Sequence, residues 1–247
     1  MITKVLKFGG SSVADASNIN KVIDIVKEKL AQGGNIVVVV SALGGVTDEL
    51  LKLATLASKK DKNYKTLFIN ICQRHNQVVN ELVSGEDKSR VLMEINKKYN
   101  ELDEVLKDIF LTELFPMSLD KVMSFGEQLS SYIISEAIVN RGILCRFADS
   151  RSFIKTDDNF CDANVDMKST YEMVREYFKN IKDLTVLGGF IASNKKGITT
   201  TLGRGGSDYT ASLVGAALDA SSIEIWTDVD GLMTADPRQV QSAVLIS

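Results

Sequence analysis

Within Gly203-Arg204-Gly205-Gly206-Ser207-Asp208, three glycines, an arginine and two helix-opening residues occupy six consecutive positions. Glycine has no Cβ and takes positive φ, so the backbone here can approach a ligand closely. The Ala-rich segment Tyr209 to Ala220 that follows reads as a helix with Ser207 or Asp208 at its N-cap. An anion at this turn would meet unpaired N–H groups, the positive end of the helix dipole and the Arg204 guanidinium together. The turn therefore reads as an anion site, with a plain tight connection as the simpler alternative.

Three further loops that follow strands offer polar groups: Lys7 with Gly9, Gly10 and Ser11; Ser41 with Thr47; and Thr227 with Asp228. Backbone amides and a lysine suit a phosphate chain. The set as a whole suits phosphoryl transfer by positioning and charge neutralisation. There is no GxxxxGK(S/T), no GxGxxG after the first strand and no protein-kinase catalytic loop, which excludes the P-loop and protein-kinase readings and weakens a dinucleotide one.

The elements that must carry these loops alternate between strand and helix. Val5 to Phe8 reads as a buried strand and Ser17 to Gln32 as an amphipathic helix ended by Gly33-Gly34. Ile36 to Val40 is β-branched throughout, as in a parallel strand covered on both faces. From Thr47 to about Arg141 the pattern is helical, which implies a lid or insertion, and Glu127 falls in an apolar, small-residue part of its last helix, Ser118 to Asn140. Ile143 to Phe147 reads as a third core strand, Met167 to Asn180 as a helix, Leu184 to Ala192 as one strand, Ile198 to Leu202 as a Thr-rich strand and Ser222 to Thr227 as the last. This order predicts one open α/β sheet with helices on both faces, with sites at the carboxyl ends of its strands.

The 247 residues, 45% hydrophobic, suffice for a substantial core, and a net charge of -3 gives no support to a nucleic-acid surface. Three cysteines without metal spacing fit a reduced, cytoplasmic setting. The one histidine, His75, lies in a polar run and reads as a surface or helix-packing residue. No apolar run approaches the roughly 20 residues of a membrane span, and no signal peptide begins the chain, so a soluble protein with no membrane partner is expected.

Lys7-Phe8-Gly9-Gly10-Ser11-Ser12, Leu202 through Tyr209, and Trp226-Thr227-Asp228-Val229-Asp230-Gly231 through Asp236-Pro237-Arg238 together resemble, in order, the motifs of aspartate kinases of the amino-acid kinase superfamily. The resemblance covers nearly the whole chain. It implies an open, mainly parallel sheet between helix layers, with the helical insertion at about 47–141. It also implies ATP with Mg2+, L-aspartate as acceptor and 4-phospho-L-aspartate as product, the first step toward lysine, threonine and methionine. By the same resemblance, Lys7 neutralises the transferring phosphoryl group, Asp208 holds Lys7, and Gly9, Gly10 and Ser11 line the phosphates. Glu127 matches the ligand of the substrate ammonium and Arg204 that of its α-carboxylate, while Ser41, Thr47 and Ser207 are on the substrate side. Ser41 and Thr47 also read as ordinary loop and N-cap residues.

Thr227, Asp228, Met233, Asp236 and Arg238 resemble the nucleotide side, and no protein metal ligand is implied. Met233 stands where many members carry an aromatic residue, and Ala192 where glycine is common. Family members continue through regulatory domains, so residues 1–247 are expected to be a C-terminally incomplete catalytic domain of a homo-oligomer. A kinase for another acidic substrate and an inactive binding or assembly fragment are the rival readings.

Overall fold

The computed structural model describes residues 3–227 together with 234, 240, 242 and 244. Its centre is a five-stranded, all-parallel sheet in the order β3-β5-β2-β1-β8, formed by β1 (Thr3–Phe8), β2 (Asn35–Val40), β3 (Cys145–Ala148), β5 (Leu184–Gly188) and β8 (Ser222–Trp226). The period-2 alternation of a strand decides which side chain meets which layer. Leu6, Phe8, Ile36, Val38 and Val40 enter a core with α1 (Ala16–Ala31), α2 (Val46–Ser58), α3 (Tyr64–Leu82), α4 (Glu86–Leu111) and α5 (Pro116–Asn140). Val5, Val37 and Val39 enter a second core with α6 (Met167–Phe178) and α7 (Gly206–Ala217). Lys7 has the parity of Val5 and is thereby aimed at the α7 layer from the carboxyl end of its strand. The continuous β-branched run of β2 follows from burial on both sides, where each fully buried valine contributes roughly 1.5 kcal/mol or more.

A three-stranded sheet, β4-β6-β7, stands apart from the first: β4 (Lys155–Thr156) runs parallel to β6 (Ile191–Asn194), and β7 (Thr199–Thr201) antiparallel to it. Its interior is polar. Thr156, Ser193, Asn194, Thr199, Thr200 and Thr201 are all buried. They are satisfied by one another and by neighbouring loops. The Thr156 and Thr200 hydroxyls lie 2.8 Å apart, Lys155 Nζ donates to Ser193 Oγ at 2.8 Å, and Asn194 Oδ1 accepts the Ile198 N–H at 2.9 Å.

Several expectations change. The single strand expected over Leu184 to Ala192 is two strands in different sheets, because Gly188-Gly189 breaks the run and Phe190 sits at φ 64. The third expected core strand, β3, lies at an edge, with Arg146 and Phe147 exposed. The N-cap of α7 is Gly205 at φ 73 rather than Ser207 or Asp208, both of which are inside the helix. Left-handed backbone at that position costs glycine little, and it starts the helix earlier. Asp15 caps α1 by accepting the Asn18 N–H at 2.8 Å.

Candidate active site

The carboxyl ends of β1 and β2 open into a cleft of about 500 Å³. Lys7, Gly10, Ser41, Thr47, Glu127 and Arg204 all line it, together with Ser207 and Asp208 of α7. Lys7 is nearly buried, and its Nζ lies 2.7 Å from Asp208 Oδ1, so the end of β1 is tied to the first turn of α7. No side chain caps α7 among the described residues, and its first turn, which carries Asp208, adjoins Lys7, where an anion would gain from the helix dipole. Gly189 makes this geometry possible: a Cβ there would lie 2.6 Å from Ser207 Cα. Ser41 Oγ donates to Ser207 Oγ at 3.0 Å and closes the gap between the two loops.

Glu127 is held at the cleft floor by α5. A Cβ on the preceding Gly126 would lie 2.7 Å from Ala42 Cβ, so only glycine lets the helix come this close to the loop after β2. Glu127 Oε1 accepts the Ala42 N–H at 3.1 Å, whereas Oε2 is buried without a partner among the described residues. Burial pushes this carboxyl up to about 8, and the Ala42 and Glu127 backbone hydrogen bonds offset only part of that. Arg204, exposed in the cleft lining, makes no ion pair among the described residues. A buried carboxyl with one unpartnered oxygen, protonated at neutral pH and able to ionise against a cation, therefore shares the cleft with a guanidinium that is unpaired among the described residues. This arrangement is complementary to a zwitterion.

A second carboxylate in the cleft behaves differently. Asp120 on α5 is 1% exposed and already accepts the Cys161 N–H at 2.9 Å, the Thr201 N–H at 3.1 Å and the Thr201 hydroxyl at 2.6 Å. Of the two buried acids, Glu127 has the vacant acceptor. Ser11 lies outside this cleft. With Ser12, Lys21, Trp226 and Thr227 it lines a neighbouring depression of about 250 Å³ beyond the end of β1. Gly9 lies between the two, where a Cβ would be 3.4 Å from Lys7 Nζ. Asp228, Met233, Asp236 and Arg238 lie outside the described residues. Among the described residues no three His, Cys, Asp or Glu side chains gather as metal ligands.

The profile of the amino acid kinase family matches residues 3–247. The chain belongs to the amino acid kinase family. The lysine-sensitive aspartokinase 3 of Escherichia coli is 35% identical to this amino acid kinase over 97% of this chain and 52% of its own length. A bifunctional aspartokinase/homoserine dehydrogenase of Zea mays is 32% identical over 98% of this chain and 26% of its own length. Among solved structures, E. coli aspartokinase III in complex with aspartate and ADP superposes with a TM-score of 0.87 at 33% identity, covering 100% of this chain and 53% of that one. The chain thus spans about a quarter to a half of the length of these relatives.

Two cleft supports in this amino acid kinase carry no signal in the sequence. Asp120 reads as one more acid near a helix start, and only the fold brings β7 to it. Arg74, on the surface-like polar run of α3, donates to Gly44 O at 2.6 Å and Ala14 O at 3.1 Å, and so joins the loops after β1 and β2 from behind. Its neighbour His75 is fully buried in the helical layer, where Nδ1 lies 2.8 Å from Ile71 O and desolvation lowers its pKa to about 4. It packs the helix and does not touch the cleft.

Proposed function

We propose that this chain is the catalytic domain of an aspartate kinase, with 47–141 as its helical insertion, and that it transfers the γ-phosphoryl group of ATP to the β-carboxylate of L-aspartate. The observation that carries the reading is that a buried Glu127 and an Arg204, each short of a partner among the described residues, share the cleft with the Lys7–Asp208 pair. The aspartate and ADP bound by the E. coli relative support the same assignment.

In this reading Glu127 takes the substrate ammonium and Arg204 the α-carboxylate, for which a guanidinium fork is suited. Ser41, Thr47 and Ser207 hydrogen-bond the amino acid from the loops around it. The β-carboxylate of free aspartate, which titrates near about 3.9, is already an anion at neutral pH, so no general base is needed. The chemical task is to bring two anions together and neutralise the charge as the phosphoryl group moves. Lys7, aimed by Asp208, supplies the mobile positive charge, and Gly9, Gly10, Ser11 and the α7 amides supply fixed dipoles. Thr227, Asp228, Met233, Asp236 and Arg238 are assigned to the nucleotide, and Mg2+ to its phosphates.

The product, an acyl phosphate, places the reaction at the head of lysine, threonine and methionine synthesis. A cytoplasmic setting and a homo-oligomeric whole protein belong to the same proposal, and the three free thiols support the former. An ATP-coupled hydroxamate assay over a panel of amino acids tests it. Turnover with aspartate is the expected outcome, and turnover with glutamate alone, or ATP binding without turnover, rejects it.

A further inference from the structure

Asp120 joins three pieces of chain that sequence keeps far apart. It stands near the start of α5, about two helical turns before Glu127. Its Oδ2 accepts the backbone N–H groups of both Cys161 and Thr201, and its Oδ1 accepts the Thr201 hydroxyl. Thr201 ends β7, and the chain then runs through Leu202 and Gly203 directly to Arg204. Cys161 sits at φ 72, a left-handed backbone conformation that a non-glycine residue holds only when its surroundings fix it. The hydrogen bond from its amide to Asp120 is one such restraint. All three residues line the cleft.

We propose that Asp120 is a positioning residue for the substrate: by clasping β7 and the Cys161 turn to α5 it fixes the span between Glu127 and Arg204, and with it the affinity for the α-amino and α-carboxylate groups. The inference rests on the amino-acid assignment of Glu127 and Arg204 given above. A direct role as a second ammonium ligand is disfavoured by the three donors its oxygens already accept, whereas Glu127 Oε2 has none among the described residues. The clasp acts on the amino-acid wall of the cleft. The phosphate wall, built from β1 and α7, is tied separately by Lys7 and Asp208.

The test uses the full chain and two near-isosteric substitutions. Asp120→Asn removes the charge that strengthens all three bonds and keeps an oxygen on the two N–H groups only by turning its NH2 to the Thr201 hydroxyl, and Thr201→Val removes only the hydroxyl bond. Steady-state kinetics should show KM for aspartate raised about tenfold in Asp120→Asn and about threefold in Thr201→Val, in line with the loss of hydrogen bonds to a charged group. KM for ATP should stay within about twofold and kcat within about threefold. A residue that serves stability alone would leave both KM values in place, or move kcat and both KM values together, and either pattern in a folded variant overturns the proposal. Should Asp120→Asn not fold, Thr201→Val decides.

Amide hydrogen exchange separates this idea from the functional reading. The Thr201 and Cys161 amides should exchange at least about tenfold faster in Asp120→Asn, whatever the chain phosphorylates. Unchanged exchange rejects the clasp even if aspartate is the substrate. Accelerated exchange in a chain that does not phosphorylate aspartate retains the clasp and rejects the function.

Discussion

The two sheets solve the same problem by opposite means. The five-stranded sheet buries valine, isoleucine and leucine on both faces, and its register is set by which side chains must leave water. The three-stranded sheet buries threonine, serine and asparagine, and its register is set by hydrogen bonds that must all be made. Apolar packing is non-directional and survives small shifts, whereas a buried polar group left without a partner costs about 1–3 kcal/mol. The large sheet is accordingly a platform for Lys7. The small one is a gauge that sets where Arg204 stands, since β7 leads straight into it.

The comparison is sharpest where chemistry and packing share a strand. Lys7→Ala should lower kcat by about a thousandfold, the scale of a lost charge-stabilising group, with little change in melting temperature. A large loss of stability would show that the pair with Asp208 also holds the platform together. At the preceding residue the expectation inverts: Leu6→Ala, at a fully buried position, should cost about 3 kcal/mol in urea unfolding while KM for both substrates is kept.

Glu127→Gln probes the buried acid in the helical layer. KM for aspartate should rise about thirtyfold through loss of a charged hydrogen bond. The carboxyl is raised to about 8, so between its ordinary value of 4.5 and 8 the folded state holds a proton that the unfolded chain has released. Its contribution to stability is therefore full below pH 4.5 and is lost as pH rises through 8. Glu127→Gln should remove this fall, seen as a flatter stability curve between about pH 5 and 9. Calorimetry in buffers of different ionisation heat should find proton release when aspartate binds the unsubstituted chain at about pH 7, falling away as pH rises through 8.

The smallest and most discriminating effects come from exchanging the two sheets' chemistry. Thr156→Val should cost about 1–2 kcal/mol by orphaning the Thr200 hydroxyl, and the double change Thr156→Val with Thr200→Val should recover part of that loss. Val38→Thr, the reverse swap in the large sheet, should also cost about 1–2 kcal/mol, because no acceptor waits there. Equal tolerance of both swaps would erase the distinction between platform and gauge.

The same physical difference governs what the sequence discloses. Ile36 to Val40 announces a doubly covered parallel strand because burial on both faces admits only such residues. Gly203 to Asp208 announces its turn because close backbone approach demands glycine, and the parity of Val5 and Lys7 places the lysine on the α7 side. Thr199 to Thr201 carries no apolar signature, so its burial is invisible until Thr156 and Asp120 are brought to it from distant positions. Leu184 to Ala192 looks continuous because both halves are buried, although they belong to different sheets. Asp120 and Arg74 resemble ordinary solvated helix charges, since the groups they hold are backbone N–H and C=O that every residue has. The N-cap of α7 is hidden because a left-handed glycine can replace the expected side-chain cap.

The parallel order of the sheet has a consequence in time. β1 lies inside the sheet and is first in synthesis, yet it pairs with β8, and Thr3 O accepts the Ser221 N–H from 218 positions along the chain. At translation rates of about 5–20 residues per second, Lys7 leaves the ribosome roughly ten to forty seconds before Asp208 exists to aim it. For that interval the earliest part of the nascent chain is an apolar strand awaiting a neighbour on one side, held on the other by β2 and α1. The Lys7–Asp208 pair is thus begun with the first strand made and is among the last contacts completed.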